Sequence, residues 1–287
     1  MRISTLSNGK SQIPNLKSEI VCALARRAGF CLLIYAKNFS FMKAPTKNCE
    51  VEIFPDVGAL NEAAAQLIVE IASRILRTSD KFSIALAGGS TPESLYKLLA
   101  SDAFKNKIDW TKTLAFFGDE RCVAPDDTES NYRMANAAML ARVPLPKENI
   151  FRLRGEIEPE KAALEYDEII KKTLGENARF DLILLGMGDD GHTASLFPKS
   201  RALRETEKLV AANYVEKLNA NRLTMTFRAI NRAKNVLFLV SGAKKAEMIK
   251  KVLSSETIDL PSSLIKPENG KCRWFLEREA ARLIEVL

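Results

Sequence analysis

The sequence predicts an α/β fold with a mostly parallel sheet and helices on both faces. From residue 51 onward, short apolar runs rich in β-branched and aromatic residues alternate with segments whose apolar residues recur every three or four positions. The runs contain few polar residues, which is typical of strands covered on both faces. No internal repeat or low-complexity tract interrupts the alternation, so we expect one domain over residues 46–287.

The order of elements follows from this alternation. Strands are expected at residues 51–54, 82–87, 113–117, 181–185, 222–226 and 235–240. The first helix is marked by Leu60, Ala64, Leu67, Ile71 and Ile75, which share one face. Further helices are expected at residues 92–99, 131–140, 159–174, 243–253 and 276–286.

Composition narrows the class of protein. The chain has 287 residues, of which 46% are hydrophobic and 28% charged, as in ordinary globular proteins and unlike disordered ones. A membrane-spanning helix needs about 18 or more apolar residues, and the most apolar run, residues 30–35, has six. We therefore expect no membrane partner.

The net charge of +7 is concentrated at the N-terminus. Residues 1–41 hold six Lys or Arg and one Glu, a charge of +5 that leaves +2 for the rest, so no nucleic-acid partner is expected. Residues 1–45 are predicted to be an extension of unknown role. They resemble a transit segment in composition, but an early start is the simpler alternative, because Met42 precedes the first strand-like run.

Cysteine and histidine usage argues against a metal site. The five cysteines form no Cys-x-x-Cys pair, and the chain has one histidine, so the usual zinc ligand sets cannot be assembled. We expect no metal, no cofactor, and free thiols in a reducing cytoplasm. The expected state is a monomer or weak homo-oligomer.

Ligands of such sheets bind at the carboxyl ends of strands, and three loops there carry candidate residues. In the first loop, Gly88 and Gly89 allow a sharp turn and close approach of a ligand. Ser90 or Thr91 is expected to cap the next helix, with Glu93 completing a capping box. A helix start of this kind suits an anion such as phosphate, although an ordinary tight turn explains the motif equally well.

The second loop places two acids and an arginine after the strand at 113–117. Arg121 could bind an oxyanion or phosphate while Asp119 and Glu120 hold it in place, and Asn131 opens the following helix. The alternative is an internal ion-pair cluster.

The third loop, residues 185–198, contains Gly-x-Gly-x-x-Gly after a strand. A dinucleotide site is disfavoured because Asp189 and Asp190 would put negative charge against a pyrophosphate, and Pro198 comes too early for the long helix of that motif.

The same loop carries His192, the only histidine of the chain. A lone histidine is usually structural, but an imidazole, whose ordinary pKa is near 6.5, suits proton transfer at neutral pH. Asp190 or Asp189 could orient the ring. Ser195 lacks the Gly-x-Ser-x-Gly context of a nucleophile, so water activated by His192 as general base is the simpler mechanism.

These segments resemble the 6-phosphogluconolactonase family of the sugar-phosphate isomerase/deaminase superfamily. The matching segments, which span the chain from about residue 51 to its C-terminus, are AGGSTP at 87–92, GDER at 118–121, SNYRMA at 130–135, LGMGDDGHTASLFP at 185–198, NRLTMTFRAINRAKNVLFLVSGAKKAEMI at 221–249, PSSLIKP at 261–267 and WFLEREAA at 274–281. Arg228 stands where the family often has proline, which concerns only the local backbone.

The resemblance implies a Rossmann-like fold and metal-free hydrolysis of 6-phosphoglucono-1,5-lactone to 6-phosphogluconate, a step of the pentose phosphate pathway, with His192 as the base. The expected catalytic residues are His192, Asp190 and Arg121. The expected substrate and phosphate ligands are Gly88, Gly89, Ser90, Thr91, Asp119, Asn131, Arg222 and Lys245. Backbone N–H groups at 188–191 or Arg121 are candidates for stabilising the oxyanion.

Two alternatives remain open at this point. Related glucosamine-6-phosphate deaminases typically read Asp-Glu-Tyr and Gly-His-Ile-Gly-Phe-Asn-Glu-Pro, whereas this chain reads Asp-Glu-Arg and Gly-His-Thr-Ala-Ser-Leu-Phe-Pro, which favours the lactonase. A non-catalytic sugar-phosphate sensor is the other alternative, because the same fold can bind without turnover. The histidine favours an enzyme.

Overall fold

The computed structural model describes residues 40–43, 49–254 and 260–284. The strands of its central sheet are β1 (Ser40–Lys43), β2 (Cys49–Phe54), β3 (Phe82–Leu86), β4 (Thr113–Phe117), β6 (Leu182–Leu185), β9 (Asn235–Val240) and β10 (Lys271–Glu277). Over the described residues they lie in the order β1-β2-β10-β9-β6-β3-β4. Pairing is parallel except between β1 and β2. The predicted α/β class with a mostly parallel sheet is confirmed.

The central strands are apolar on both faces because both faces are covered. Every residue of β3, β4, β6 and β9 is buried. In a parallel sheet this double burial supplies most of the driving force, at about 1.5–3 kcal/mol for each fully buried large apolar side chain. This burial on both faces explains why the sequence has continuous apolar runs at these strands.

Six helices lie in the described part of the chain. They are α1 (Val57–Ile75), α2 (Ser90–Leu99), α3 (Asn131–Ala138), α4 (Pro159–Leu174), α5 (Phe227–Asn231) and α6 (Ala246–Leu253). Helix α1 packs on β2 and β10, and α2 packs on α1 and β9. No helix among the described residues is long and apolar enough to cross a membrane.

Four of the six described helix starts have a side-chain cap, whereas α2 and α6 have none. The Asp56 carboxylate accepts from Ala59 N–H to begin α1, and Ser130 Oγ accepts from Arg133 N–H to begin α3. Helix α2 differs from the prediction, because its N-cap is Gly89 at φ 102° and no side chain caps it. Neither Ser90 nor Thr91 acts as the cap.

A second, antiparallel sheet is formed by β5 (Asp119–Arg121), β8 (Ala220–Met225) and β7 (Val210–Val215), in the order β5-β8-β7. The segment predicted as a strand at 222–226 therefore belongs to this small sheet rather than to the parallel one. Helix α4 packs on β7 and β8. The small sheet carries Arg121 and Arg222 on neighbouring strands.

Two predictions at the ends of the chain differ from the structure. The helix expected at 276–286 is absent from its described part, because Leu276 and Glu277 pair within β10 and residues 278–284 form turns. Burial of the aromatic residues Trp274 and Phe275 within the sheet decides in favour of the strand.

The N-terminal boundary also differs, because β1 pairs with β2 and the sheet therefore begins before residue 46. Residues 1–39 and 44–48, which make up most of the predicted extension, lie outside the described residues.

Candidate active site

A cavity of about 410 Å³ opens at the carboxyl ends of the central strands. Its wall combines the loop after β3, the start of the small sheet, the glycine-rich loop after β6 and the connection between β7 and β8. Parallel strands end at one edge of a sheet, so segments distant in sequence meet there. The location is the one expected from the strand-end loops.

Most of the predicted site residues line this one cavity. Those in its wall are Gly88, Gly89, Asp119, Arg121, Asn131, His192, Arg222 and Lys245. Ser90, Thr91 and Asp190 are not part of the lining. Ser90 is exposed, and Thr91 is buried with its Oγ1 2.7 Å from Oγ of Ser241. The sequence predicts that both residues bind the ligand, but neither hydroxyl faces the cavity.

The imidazole of His192 is held in a fixed orientation. Its Nδ1 atom lies 2.6 Å from Oδ1 of Asp190, and its ring stacks on Phe197 with 4.0 Å between the ring centroids. An ionised carboxylate only accepts hydrogen bonds, so Nδ1 carries the hydrogen and Nε2 is left with a free lone pair. The free nitrogen is the one that can accept a proton from water.

The Asp190 carboxylate contacts the His192 imidazole through one oxygen and a lysine through the other. Lys217 Nζ donates to Asp190 Oδ2 at 3.1 Å and lies 4.0 Å from Oδ1 of Asp189. Burial opposes the charged form of Asp190, but the hydrogen bonds and charges of His192 and Lys217 outweigh it and hold the pKa of Asp190 well below its ordinary value. Asp190 is therefore ionised at neutral pH.

The absence of a side chain at Gly188 leaves space for the imidazole ring of His192. A Cβ atom at Gly188 would lie 2.1 Å from both Cε1 and Nδ1 of His192, so only glycine fits without displacing the imidazole. The Gly188 N–H donates to the carbonyl of His192 at 2.8 Å, and the Gly191 N–H donates to the carbonyl of Gly188 at 3.3 Å. These two N–H groups close the loop on itself, which removes them from the candidate oxyanion donors.

A buried polar network forms the base of the cavity around Asp119. Ser195 Oγ donates to Asp119 Oδ2 at 2.7 Å, and Asn131 Nδ2 donates to Oδ1 at 3.2 Å. Ser195 is buried and committed to this hydrogen bond, which agrees with the prediction that it is not a nucleophile. A Cβ atom at Gly88 would lie 2.0 Å from Oδ1 of Asn131, so this glycine allows the first loop to pack on the network.

Glu120 binds backbone N–H groups rather than the Arg121 guanidinium, although the sequence predicts that it holds that guanidinium in place. Its buried carboxylate accepts from the backbone N–H groups of Arg121, Asn131 and Tyr132, and from Ser130 Oγ. Burial raises the pKa of Glu120 despite these hydrogen bonds. The carboxylate ties β5 to the start of α3, and in the described structure neither Glu120 nor Asp119 forms an ion pair with the Arg121 guanidinium.

Two arginines lie side by side on the small sheet. Arg121 and Arg222 are register partners on the antiparallel strands β5 and β8, so both side chains are on the same face. The Arg121 guanidinium donates to the carbonyl of Glu129 and that of Arg222 to the carbonyl of Asn221. Like charges directly opposite each other are unfavourable, so a half-buried pair without a carboxylate partner in the described chain suits a bound anion.

Two buried tyrosines fix the strand ends that carry the loops. Tyr96 of α2 accepts from the N–H of Ala87 and donates to its carbonyl, both at 2.8 Å. Tyr166 of α4 accepts from Phe117 N–H at 2.8 Å. These hydroxyls hold the backbone directly before Gly88 and Gly118, at the carboxyl ends of β3 and β4.

Sequence reasoning missed Lys217, Tyr96 and Tyr166. Lys217 lies in the turn Glu216–Leu218 between β7 and β8, and it reaches Asp190 through tertiary structure alone. The tyrosines carried a usable signal, because a tyrosine on the inward face of a predicted helix needs a partner for its hydroxyl. In the described chain no group of three or more His, Cys, Asp or Glu side chains is arranged to hold a metal.

Comparison with known proteins adds an independent observation. Residues 55–274 match the family model described as glucosamine-6-phosphate isomerases/6-phosphogluconolactonase. A 6-phosphogluconolactonase of Nostoc sp. is 37% identical over 82% of this chain and 98% of its own length. The Homo sapiens 6-phosphogluconolactonase is 35% identical over 85% of this chain and 97% of its own length.

A solved structure agrees with both relatives. The crystal structure of 6-phosphogluconolactonase from Thermotoga maritima is 30% identical, with a TM-score of 0.70, and the match covers 80% of this chain and 99% of that one.

Proposed function

Because the chain belongs to the glucosamine-6-phosphate isomerase/6-phosphogluconolactonase family, we propose that it hydrolyses 6-phospho-D-glucono-1,5-lactone to 6-phospho-D-gluconate. Relatives of which the chain covers nearly the whole length carry the name of that activity. The observation that carries the proposal is that His192, backed by Asp190, lines the same cavity as Arg121, Arg222 and Lys245. A base and a cluster of cations in one cavity suit a phosphorylated ester.

His192 is the general base for a water molecule. The Asp190 contact leaves Nε2 able to take a proton from water as the water oxygen attacks the lactone carbonyl. The imidazolium then returns the proton to the ring oxygen as the C–O bond breaks. Proton transfer by a positioned group contributes typically about 10²–10⁴-fold, and positioning of the bound ester contributes much of the rest.

The phosphate is anchored by the arginine pair and the first loop. Arg121 and Arg222 present two guanidinium groups from the same face of the small sheet, and Lys245 adds a third cation from the turn before α6. The start of α2 beyond Gly89 contributes backbone N–H groups and the positive end of the helix dipole, worth about 0.3–1 kcal/mol. Ser90 and Thr91 act through their backbone, because their hydroxyls lie outside the cavity.

Asp119 and Asn131 contact the sugar in this proposal. Both line the cavity, and the buried network with Ser195 holds their polar atoms in fixed directions. Hydroxyl groups of the lactone can donate to Asp119, whose carboxylate is an acceptor only. With the loop N–H groups of Gly188 and Gly191 occupied, the N–H groups of Asp189 and Asp190 and the Arg121 guanidinium remain as candidates for stabilising the tetrahedral oxyanion.

The test is a lactonase assay on freshly generated 6-phosphogluconolactone, with acid release corrected for spontaneous hydrolysis. The proposal expects turnover that disappears with the His192→Ala protein purified in parallel, which excludes a contaminating enzyme. Ammonia release from glucosamine-6-phosphate would instead identify a deaminase. Binding of the phosphorylated sugar without either product would identify a sensor. In the proposed role the enzyme acts in the cytoplasm, as a monomer or weak homo-oligomer.

A further inference from the structure

Two cysteines lie next to each other at the amino end of the central sheet. Cys49 is the first residue of β2, Cys272 is the second residue of β10, and the two are register partners on these parallel strands. Register partners on parallel strands direct their side chains to the same face, and the strands are about 4.8 Å apart. The two thiol groups are therefore neighbours across the strand pair.

The pair is remote from the active-site cavity. The cavity is at the carboxyl ends of the strands, whereas Cys272 precedes the end of β10 at Glu277 by five residues. At about 3.3 Å per residue, that is roughly 16 Å along the sheet. Neither cysteine lines the cavity, so nothing in the proposed hydrolysis uses them.

We propose that Cys49 and Cys272 are a reversible oxidation site, at which a peroxide or a low-molecular-weight disulfide converts the two thiols into a cross-strand disulfide. Disulfides join residues whose Cα atoms are about 4.4–6.8 Å apart, a range that includes the spacing of neighbouring strands. The register pairing already places the two cysteines side by side on one face of the sheet.

The burial of the two thiols sets the order of the steps. Cys272 is 1% exposed, whereas Cys49 is partly exposed, so the oxidant reaches Cys49 first. The neighbouring Cys49 thiol and burial raise the pKa of the Cys272 thiol, which keeps it protonated until its partner has reacted. Cys272 is therefore the resolving thiol.

The reaction with hydrogen peroxide balances in two steps. The Cys49 sulfur attacks one peroxide oxygen, the O–O bond breaks, and Cys49 becomes a sulfenic acid as one water leaves. The Cys272 sulfur then attacks the Cys49 sulfur, the S–O bond breaks, and the oxygen leaves as a second water with the Cys272 proton. Two thiols lose one electron each, and the peroxide is reduced to two waters.

The disulfide would join the β2 edge of the sheet to β10. Closing a long loop of the unfolded chain stabilises the folded state, and for a protein of this size the midpoint of thermal unfolding would rise by roughly 5–10 °C. The catalytic loops lie at the opposite end of the strands, so the cavity geometry is retained. The inference is independent of which reaction the enzyme catalyses.

The experiment treats the full-length protein with hydrogen peroxide, or separately with oxidised glutathione, and maps peptides without reduction. We expect one linked peptide pair containing Cys49 and Cys272, which dithiothreitol separates. Cys49→Ser and Cys272→Ala must both abolish the link, whereas Cys122→Ser, which changes another half-buried cysteine, must leave it. The mapping also distinguishes this link from any that involve Cys22 or Cys31.

A second readout comes from Trp274, which lies two residues after Cys272 in β10 and therefore on the same face of the sheet. A disulfide quenches a neighbouring indole, so tryptophan emission should fall on oxidation and recover with dithiothreitol, and Cys49→Ser should show neither change. The proposal is overturned if Cys49 stops at a sulfinic acid or a glutathione adduct while Cys272 stays a thiol. It is equally overturned if either cysteine links to a different partner.

Discussion

The Nδ1 atom of His192 lies 2.6 Å from Oδ1 of Asp190, and this contact determines which ring nitrogen keeps a free lone pair. The carboxylate can only accept, so the free lone pair is on Nε2. Asp190 stays charged because its hydrogen bonds to His192 and Lys217 outweigh the effect of burial on its pKa. The carboxylate therefore holds the ring in an orientation in which Nε2 can accept a proton.

Replacement of the imidazole tests the base directly. His192→Ala is expected to lower kcat by about 10²–10⁴-fold with little change in KM, because the phosphate contacts remain. Steady-state kinetics checks the loss, and circular dichroism checks that the fold is retained. Turnover within a few-fold of wild type would exclude His192 as the base.

Asp190→Asn is expected to reduce kcat by on the order of 10-fold or more, since an amide no longer fixes the imidazole tautomer. Lys217→Met should have a smaller effect than Asp190→Asn, because the Lys217 side chain is 62% exposed and exposed ion pairs contribute little. A wild-type kcat in Asp190→Asn would contradict the assigned role.

The arginine pair should act on binding of the phosphate. Arg121→Ala and Arg222→Ala are each expected to raise KM for the phosphorylated lactone by about 10–100-fold, corresponding to one charge-assisted contact of about 1.5–3 kcal/mol. Hydrolysis of unphosphorylated gluconolactone should change little in Arg222→Ala, whereas a lower kcat on both lactones in Arg121→Ala would assign Arg121 to the oxyanion. Arg74→Ala, at an exposed position of α1, is the matched control. Equal losses on both lactones would count against a phosphate site at these arginines.

Gly188→Ala is expected to abolish most activity without unfolding the protein. The new methyl group would meet the His192 ring at 2.1 Å and displace it. Gly186→Ala in the same loop has no atom within 4 Å of the new Cβ, so its loss of kcat should be smaller by at least about 10-fold. Comparable losses in the two variants would show that the loop backbone, rather than the ring position, is sensitive.

Glu156 and its partners Arg152 and Arg154 form an ion-pair cluster that makes the free energy of unfolding depend on pH. The side-chain hydrogen bonds of Arg152, with a further contribution from Arg154, lower the pKa of Glu156 to about 2. A depressed carboxyl pKa stabilises the fold above the unfolded-state value near 4.5, and this stability is lost as the pH falls towards 2.

Because the cluster is partly open to solvent, Glu156→Gln should lower the free energy of unfolding by about 1 kcal/mol at pH 7. The difference should shrink below about pH 4. Urea titrations at pH 7, 5 and 3 measure it, with Glu148→Gln as an exposed control. A difference that does not depend on pH would refute the electrostatic origin.

The predicted elements succeeded where local pattern and burial agree. The apolar runs at 82–87, 113–117 and 235–240 match β3, β4 and β9 to within a residue, because strands buried on both faces consist mostly of apolar residues. The pattern failed at 276–286, where Leu276, Ala280 and Ile284 are spaced as in a helix. Pairing of Leu276 with β2 and β9 overrides that spacing.

For the candidate site, the glycine loop and its histidine were readable from the sequence because both are local features. Gly188 and His192 are close in the chain, and the loop between them needs no other segment to bring them together. Ser90 was misjudged as a cap, because the backbone of Gly89 at φ 102° starts the helix one residue earlier than the side-chain pattern predicts.

The sequence by itself determined the α/β class and the strand-end position of the glycine loop that carries His192, since these depend on periodicity and on short-range loop chemistry. Only the tertiary structure decided that Arg121 lies opposite Arg222, that Lys217 reaches Asp190, and that Cys49 neighbours Cys272. The physical reason is that strand register and loop packing depend on the burial of the whole sheet, which no local segment encodes.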